Sequence, residues 1–450
     1  MRWLLRLRVC IIVMLAVILI LAAISFSIVR AILPYATGYK TEIETQLSQQ
    51  IGLPVHIERI GADMHWFSPR LKLFNVTIYS AKNNVPVFHF DKFIFALDPV
   101  RSLLRQTLTV SEISLVGVDV SIERHADNRW VIQGMEFKNS TSGSMSEKLL
   151  YTLQHANYSL LDSNIYYRDF TADKLSLNLH NVNIDAENNG KHHTLRLSMQ
   201  LPKEYGKSLQ VITRFDGNLG STATGKFYVE GKDIVLRQWQ EKFKWLPEYK
   251  FSGVLNTSIW GKLVKNKPTE LVAAVSATGV SFSNIEKNIP PWHVDKLSAK
   301  LRLSRFRQMW RLRIANLAMQ QSGKAYWPHV ANISAGFDDK NIFINADFLR
   351  IQDMIKLAKL GISDNKQLDQ LIKISPVGDI YNLRFLYPSG QPNAVWLQGE
   401  FVNAGVTLPD VPARISGIDA DVHYRKNRLS LKLLTENAQI QLADLFRQPL

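Results

Sequence analysis

The stretch GSTATGKF, Gly220 to Phe227, has the G-x-x-x-x-G-K spacing with which a glycine-rich loop cradles phosphate oxygens and a lysine neutralises them. Two features speak against nucleotide chemistry. Phe227 stands where a serine or threonine hydroxyl would hold Mg2+, and KFYVE reads on as a strand instead of opening the helix whose N-terminus would receive phosphate. The eleven histidines are scattered. His192 and His193 are adjacent and point to opposite faces of a strand, so the two cannot chelate one metal; a solvated turn suits them better. No H-E-x-x-H, no G-x-S-x-G and no carboxylate constellation occurs, although acids distant in sequence can still meet in space. The expectation is a protein that is not an enzyme and uses neither cofactor nor metal.

One charge pattern remains. In KLRLSRFRQMWRLRI, Lys300 and Arg302 alternate with Leu301 and Leu303, and Arg311 and Arg313 alternate with Trp310, Leu312 and Ile314. Two antiparallel strands with a wet basic outer face account for it. A second reading puts anionic headgroups on that face, since guanidinium binds phosphate well and tryptophan favours interfaces.

The same period of two runs through most of the chain. Leu71 and Leu73, Val76 and Ile78, Phe93 and Phe95, Ile113 and Leu115, and Val118, Val120 and Ile122 step in twos, as strands with one buried face do. Leu175, Leu177 and Leu179 are followed by Val182 and Ile184 in the other frame, which implies a turn or bulge. Further ladders start at Leu195, Phe251, Leu297, Ile342, Val395 and Leu429. Helical signals are few. Ile43, Leu47 and Ile51 share one face before Gly52, predicting a short helix across the first strands. Ile351, Met354, Ile355 and Ala358, then Leu368, Leu371 and Ile372 before Pro376, predict a helical pair at about 351–373 that plugs or caps a sheet. FKNSTSGSMSEKL has no periodicity and reads as a linker at 138–149.

Composition and the N-terminus narrow the class. Hydrophobic residues make up 46% and charged residues 21%, enough apolar surface for an ordered structure. Cys10 is the only cysteine, so the rest of the chain forms no internal disulfide and offers no thiolate. From Val9 to Val29 the chain runs 21 residues without a charge, roughly 31 Å as a helix, close to the ~30 Å of a bilayer's hydrocarbon core. Arg2, Arg6 and Arg8 precede this stretch, so the positive-inside rule keeps residues 1–8 in the cytoplasm and exports the remainder. A cleaved signal peptide is the alternative, but its apolar region is typically about 7 to 15 residues. The net charge of +15 suits anionic partners, and export makes phospholipid headgroups or lipopolysaccharide the candidates and excludes nucleic acid.

LSQQIGLPVHIERIGADMHWFSPRLKLFNVTIYS, then FALDPVRSLLRQTLTVSEISLVGVDVSIER and NRWVIQGM, resemble the opening of the AsmA-like superfamily of Gram-negative envelope proteins. FSGVLNTSIWGKL, ISPVGDIYNLRFLYP and FVNAGVTLPDVPARISGIDADVHYRKNRLSLKL resemble its YhdP branch in particular. The resemblance covers essentially the whole chain and implies the N-terminal part of a longer protein. It implies a mainly β fold: an N-terminal transmembrane helix (9–29), an AsmA-like start module (30–137), the linker, and at 150–450 the first part of an elongated, curved antiparallel β-sheet groove with a few short helices. It further implies single-pass anchoring in the inner membrane with the bulk of the chain in the periplasm. The implied role is bridge-like phospholipid transport between inner and outer membranes, supporting outer-membrane biogenesis and its permeability barrier.

Partners on this reading are phospholipids, the inner membrane, and outer-membrane or periplasmic proteins. Groove candidates are Leu175, Leu177, Leu179, Leu195, Leu197 and Met199, which alternate cleanly beyond the start module. Two rivals remain: an assembly factor for outer-membrane proteins that offers sheet edges, and an ordinary closed β sandwich whose leucines are simply core; a glycan-handling protein would need tryptophans spaced on one strand face, and Trp130, Trp239, Trp245, Trp260, Trp292 and Trp327 are too dispersed for that.

Overall fold

The computed structural model describes residues 27, 35 and 38–442, except 66–67, 82–83, 107–108, 128, 134, 138–155, 172–174, 218–221, 244–246, 286–289, 307–308, 338–340, 362–365, 389–393, 409–412, 426–427 and 437. The expected membrane span, apart from residue 27, and the linker lie outside the described residues. Among the described residues no helix is long and apolar enough to cross a membrane. Contacts divide the chain into two units, Met1–Pro202 with Gln210–Asn218, and Lys203–Leu209 with Leu219–Leu450.

The first unit opens with α1 (Lys40–Ile51), β1 (Val55–His65), β2 (Ser68–Tyr79), β3 (Pro86–Leu97), α2 (Pro99–Arg105) and β4 (Val110–Arg124). It continues with β5 (Trp130–Ile132), β6 (Met135–Phe137), β7 (Asn157–Asp169), β8 (Leu175–Asn189), β9 (His192–Gln200) and most of β10 (Ser208–Asp216). Successive strands β1 to β4 pair antiparallel, as do β7 to β9. Between them β4 and β7 pair in parallel, which requires a crossover connection. Gly52, in the left-handed conformation, ends α1 as expected, and Ile43 and Leu47 pack on the core of Val55, Ile57, Ile60, Leu73 and Val76. Ile51, expected on the same face, is exposed, since α1 ends there.

The second unit is a meander: β11 (Thr224–Val235), α3 (Leu236–Phe243), β12 (Tyr249–Val264), β13 (Lys267–Asn284), β14 (Trp292–Phe306), β15 (Met309–Gln321), β16 (Lys324–Ala325), β17 (Ala331–Phe337) and β18 (Asn341–Arg350). Then come α4 (Ile351–Gly361), α5 (Lys366–Lys373), β19 (Val377–Pro388), β20 (Trp396–Leu408), β21 (Ala413–Arg425), β22 (Arg428–Leu433) and β23 (Gln439–Leu442). The expected helical pair is α4 and α5. Gly225, Lys226 and Phe227 lie within β11, so the phosphate-loop spacing continues into extended chain as the sequence predicts.

Many of the frame changes in both units coincide with residues that have positive φ in the middle of strands. Asn75, Gly117, Asp162 and Asn181 hold φ of 49°, 68°, 48° and 47° in the first unit. Asp233, Gly279, Asn316, Asn382 and Asn403 hold 53°, 60°, 55°, 53° and 50° in the second. Asparagine and aspartate tolerate this region better than other side-chain-bearing residues because their short polar groups bond locally. Here the bond comes from the neighbouring strand. The N–H of Asp162 donates to Asn183 Oδ1 at 2.9 Å, that of Asn316 to Asn332 Oδ1 at 3.1 Å, and that of Asn403 to Asp419 Oδ1 at 2.7 Å. The expected break between Leu179 and Val182 is such a bulge inside one 15-residue strand, not a turn.

Candidate functional site

Residues directly opposite each other on paired strands share a face, so the registers trace which side chains line up. In the first unit, Ile60, Leu73, Phe93, Leu115, Leu160, Ile184 and Leu197 form one unbroken row across seven strands. Beside it run Ala62, Leu71, Phe95, Ile113, Tyr158, Ala186 and Leu195. The β1–β2 part of these rows lies beneath α1, while Leu160, Ile184, Leu195 and Leu197 are half-buried. The Tyr158 hydroxyl is buried without a hydrogen-bond partner among the described residues, and burial pushes the phenol's pKa up.

In the second unit a row of eleven residues crosses eleven strands: Phe227, Gly261, Leu271, Leu303, Leu312, Ala335, Ile344, Phe385, Leu397, Tyr424 and Leu429. A parallel row joins Val229, Ile259, Ala273, Leu301, Ile314, Ile333, Ala346 and Leu383. Gly261 matters in the first row because the Phe227 ring occupies the place of its missing Cβ; a Cβ there would meet ring carbons at 2.0 Å. Most members are half-buried. Among the described residues the main strand-to-strand packing is between ladder neighbours, and helices pack chiefly on β1, β12, β13, β18 and β19.

One side of the second track is closed, at the strand ends next to α4. Val294, Met319, Trp327, Ala331, Ala346, Phe348, Leu349 and Leu383 form a core on which Met354 of α4 rests. Against this core lies a buried carboxylate: Asp353, 1% exposed, accepts from Trp327 Nε1 at 2.7 Å and from the Tyr326 hydroxyl at 2.5 Å. Burial, then the bond to Asp353, pushes the Tyr326 pKa up to about 12. Arg350 completes the plug, with Nη1 donating to the Tyr326 carbonyl at 2.8 Å and Nε to Asp379 at 3.0 Å.

The opposite face is polar. Arg302 lies opposite Arg313, and the row continues through Ser334 and Asn345 to Arg384, as the alternation of KLRLSRFRQMWRLRI predicts for an antiparallel pair. Arg302 pairs with Glu270 at 2.6 Å. Trp310 falls on the apolar face, with the Arg305 guanidinium 5.9 Å from its ring centre. A hollow of about 580 Å³ on the polar face is lined by Arg313, Asn332, Asn345, Asn382, Arg384 and Glu400. The apolar rows are thus a broad half-exposed surface, whereas this hollow belongs to the wet side.

Of the six groove candidates, Leu195 and Leu197 end the two rows of the first unit, and Met199 follows on the same face. Leu177 and Leu179 are half-buried opposite Tyr167 and Ile165, beyond the Asn181 bulge. Because β9 ends at Gln200 opposite His180, they do not neighbour Leu195 and Leu197. Leu175 lies opposite Asp169; its side chain is outside the described residues. On the other face of β9, Arg196 reaches Asp185 and Glu187, each at 2.7 Å, and its hydrogen bond holds the Glu187 carboxyl below the usual carboxylate range.

His192 and His193 do face opposite ways, but not in a turn: they open β9. His192 pairs with Asp216 at 2.5 Å, while His193 is buried against the Phe215 ring. Leu429, Leu431 and Leu433 are exposed rather than half-buried. Two helices escaped the sequence reading. α2 had a signal in Asp98-Pro99, a capping carboxylate before proline at the first helical position. α3 clamps β12 through Gln240, whose Nε2 donates to the Tyr249 carbonyl and whose Oε1 accepts the Phe251 N–H. Among the described residues no group of three or more His, Cys, Asp or Glu is placed to hold a metal ion.

A family model described as YhdP protein matches residues 1–450. The chain is similar to an Escherichia coli (strain K12) protein named intermembrane phospholipid transporter YhdP, at 22% identity over 389 residues, or 85% of this chain. It spans 29% of that relative's length. No solved structure matches significantly.

Proposed function

Because the chain belongs to the YhdP family, we propose that it is part of a bridge-like carrier of phospholipid between the inner and outer membranes of a Gram-negative envelope. On this reading residues 1–8 are cytoplasmic and 9–29 cross the inner membrane. The module at 30–137 follows, then the linker at 138–149, and 150–450 form the first part of a curved periplasmic groove. The outer-membrane permeability barrier depends on the lipid it delivers. The name of the relative, a phospholipid transporter, supports the substrate class.

The observation that carries the proposal is the unbroken apolar row from Phe227 to Leu429, half-buried along most of its length. Each CH2 taken out of water is worth roughly 0.8 kcal/mol, so two long acyl chains crossing water face a barrier on the order of 20 kcal/mol. A strip of leucine, isoleucine and phenylalanine removes most of it, while headgroups remain hydrated beyond the strip. Opposed ladders with one apolar and one polar face suit a sheet wetted on one side only. A passive strip supplies no direction; that comes from the concentration difference or from other proteins.

The experiment is a block in the middle of the strip. Leu303→Asp with Leu312→Asp places two carboxylates opposite each other on the apolar face. Phospholipid recovered with the purified protein should fall several-fold, and the outer membrane should become permeable to large antibiotics, with the strands still forming by circular dichroism. Undiminished lipid in a folded block variant would overturn the proposal and favour an assembly role instead.

A further inference from the structure

We propose that helix α2 is a membrane foot: Val100, Leu103 and Leu104 lie in the interfacial layer of the bilayer that residues 9–29 cross. The inference rests on the anchoring part of the functional reading. Positions 100, 103 and 104 share one helical face, and they are 61%, 80% and 79% exposed. The helix is capped and tied to the residues that flank β3 and β4. Ser102 Oγ donates to the Asp98 carbonyl at 2.5 Å and accepts the Thr109 N–H at 2.9 Å, while the Asp98 side chain accepts the Arg101 N–H at 2.9 Å.

What covers those leucines follows from where the helix sits. α2 joins β3 to β4 just past the pair Leu97 and Val110. Ala96 is opposite Arg70, so this is the end at which β1 and β2 close at His65 and Ser68. α1 runs antiparallel to β1: Ser48 accepts the Val55 N–H, Glu44 accepts the Ile57 N–H, and Lys40 donates to the Glu58 carbonyl. Its N-terminus therefore points toward the same end, and the 21-residue apolar stretch precedes that N-terminus in sequence. Tyr35 and Tyr39, between stretch and helix, are 73% and 61% exposed, as suits residues at a membrane–water boundary. At seven residues α2 cannot span a bilayer, but it can lie in its plane.

The test uses the 450-residue chain with Cys10→Ser and a single bimane-labelled cysteine, reconstituted in vesicles of phosphatidylethanolamine and phosphatidylglycerol with or without brominated acyl chains. Labels go to position 103, to position 16 within the apolar stretch, and to the exposed turn residue 191. Leu103→Cys should be quenched about twofold or more by brominated lipid and shielded from iodide, as interfacial residues are, whereas Lys191→Cys should show the reverse. If position 16 is quenched and 103 is open to iodide, the foot is overturned while the anchor stands. If neither 16 nor 103 responds to bromine, both fall; quenching at 103 alone upholds the foot without the anchor. A label at 103 shielded from iodide yet blind to bromine means a protein covers the helix, which also overturns the proposal.

Discussion

Trp327 donates its indole N–H to the Asp353 carboxylate at 2.7 Å, and both residues are buried where α4 flanks one side of the apolar strip. With Tyr326 donating to the second oxygen, one carboxylate satisfies two buried donors of the segment between β16 and β17. Asp353→Ala leaves both without an acceptor and should destabilise the second unit by about 2–4 kcal/mol. Asp353→Asn, which keeps one acceptor, should cost clearly less; urea unfolding followed by tryptophan fluorescence reads both.

The same contact sets a pH limit. The Tyr326 pKa rises to about 12, so the fold prefers the neutral phenol. Its contribution is fully present below the ordinary tyrosine value of about 10 and is lost as pH climbs toward 12. Urea midpoints should show a loss between pH 10 and 12 that is smaller in Tyr326→Phe.

Asn316 tests the strand bulges. Its φ of 55° suits asparagine or glycine, and its N–H is held by Asn332. Asn316→Leu should lose about 1–2 kcal/mol, while Asn316→Gly stays within about 1 kcal/mol of the parent. Equal losses in the two variants would mean that the conformation is not what the asparagine supplies.

Gly261 and Phe227 form a coupled pair across β11 and β12. Gly261→Val drives a side chain into the Phe227 ring and should cost about 1–3 kcal/mol. Combining it with Phe227→Ala should recover part of that loss, a positive coupling measurable in a double-mutant cycle.

Tyr158 has a buried hydroxyl with no partner among the described residues, in the row that ends at Leu195. Tyr158→Phe should raise the stability of lipid-free protein by about 1 kcal/mol. If a lipid oxygen normally accepts that hydroxyl, the gain should shrink or reverse in lipid-loaded protein.

Much of this was legible from period two. Ladders such as Leu297 to Leu303 fixed strands and faces, and the i, i+4 spacing of Ile43 and Leu47 located α1. The bulges were half-legible: the change of frame before Val182 was visible, but not its agent, Asn181, nor that other bulges share an apolar–Asn–apolar triplet, as in Phe74-Asn75-Val76, Ala315-Asn316-Leu317 and Tyr381-Asn382-Leu383. Register was not legible. Leu177 and Leu195 look equivalent in one dimension, yet backbone pairing with β7 and β9 sets them at different levels of the sheet. The buried Asp353 was hidden because its partners, Tyr326 and Trp327, lie 27 and 26 residues away.

Photo-crosslinking in living cells at Leu195, Arg196, Leu197, Ser198 and Met199 asks whether the apolar face carries lipid. Phospholipid adducts at 195, 197 and 199, with none at 196 and 198, are expected of a lipid-bearing face; silence at all five positions in folded, membrane-bound protein would mean that this face carries no lipid.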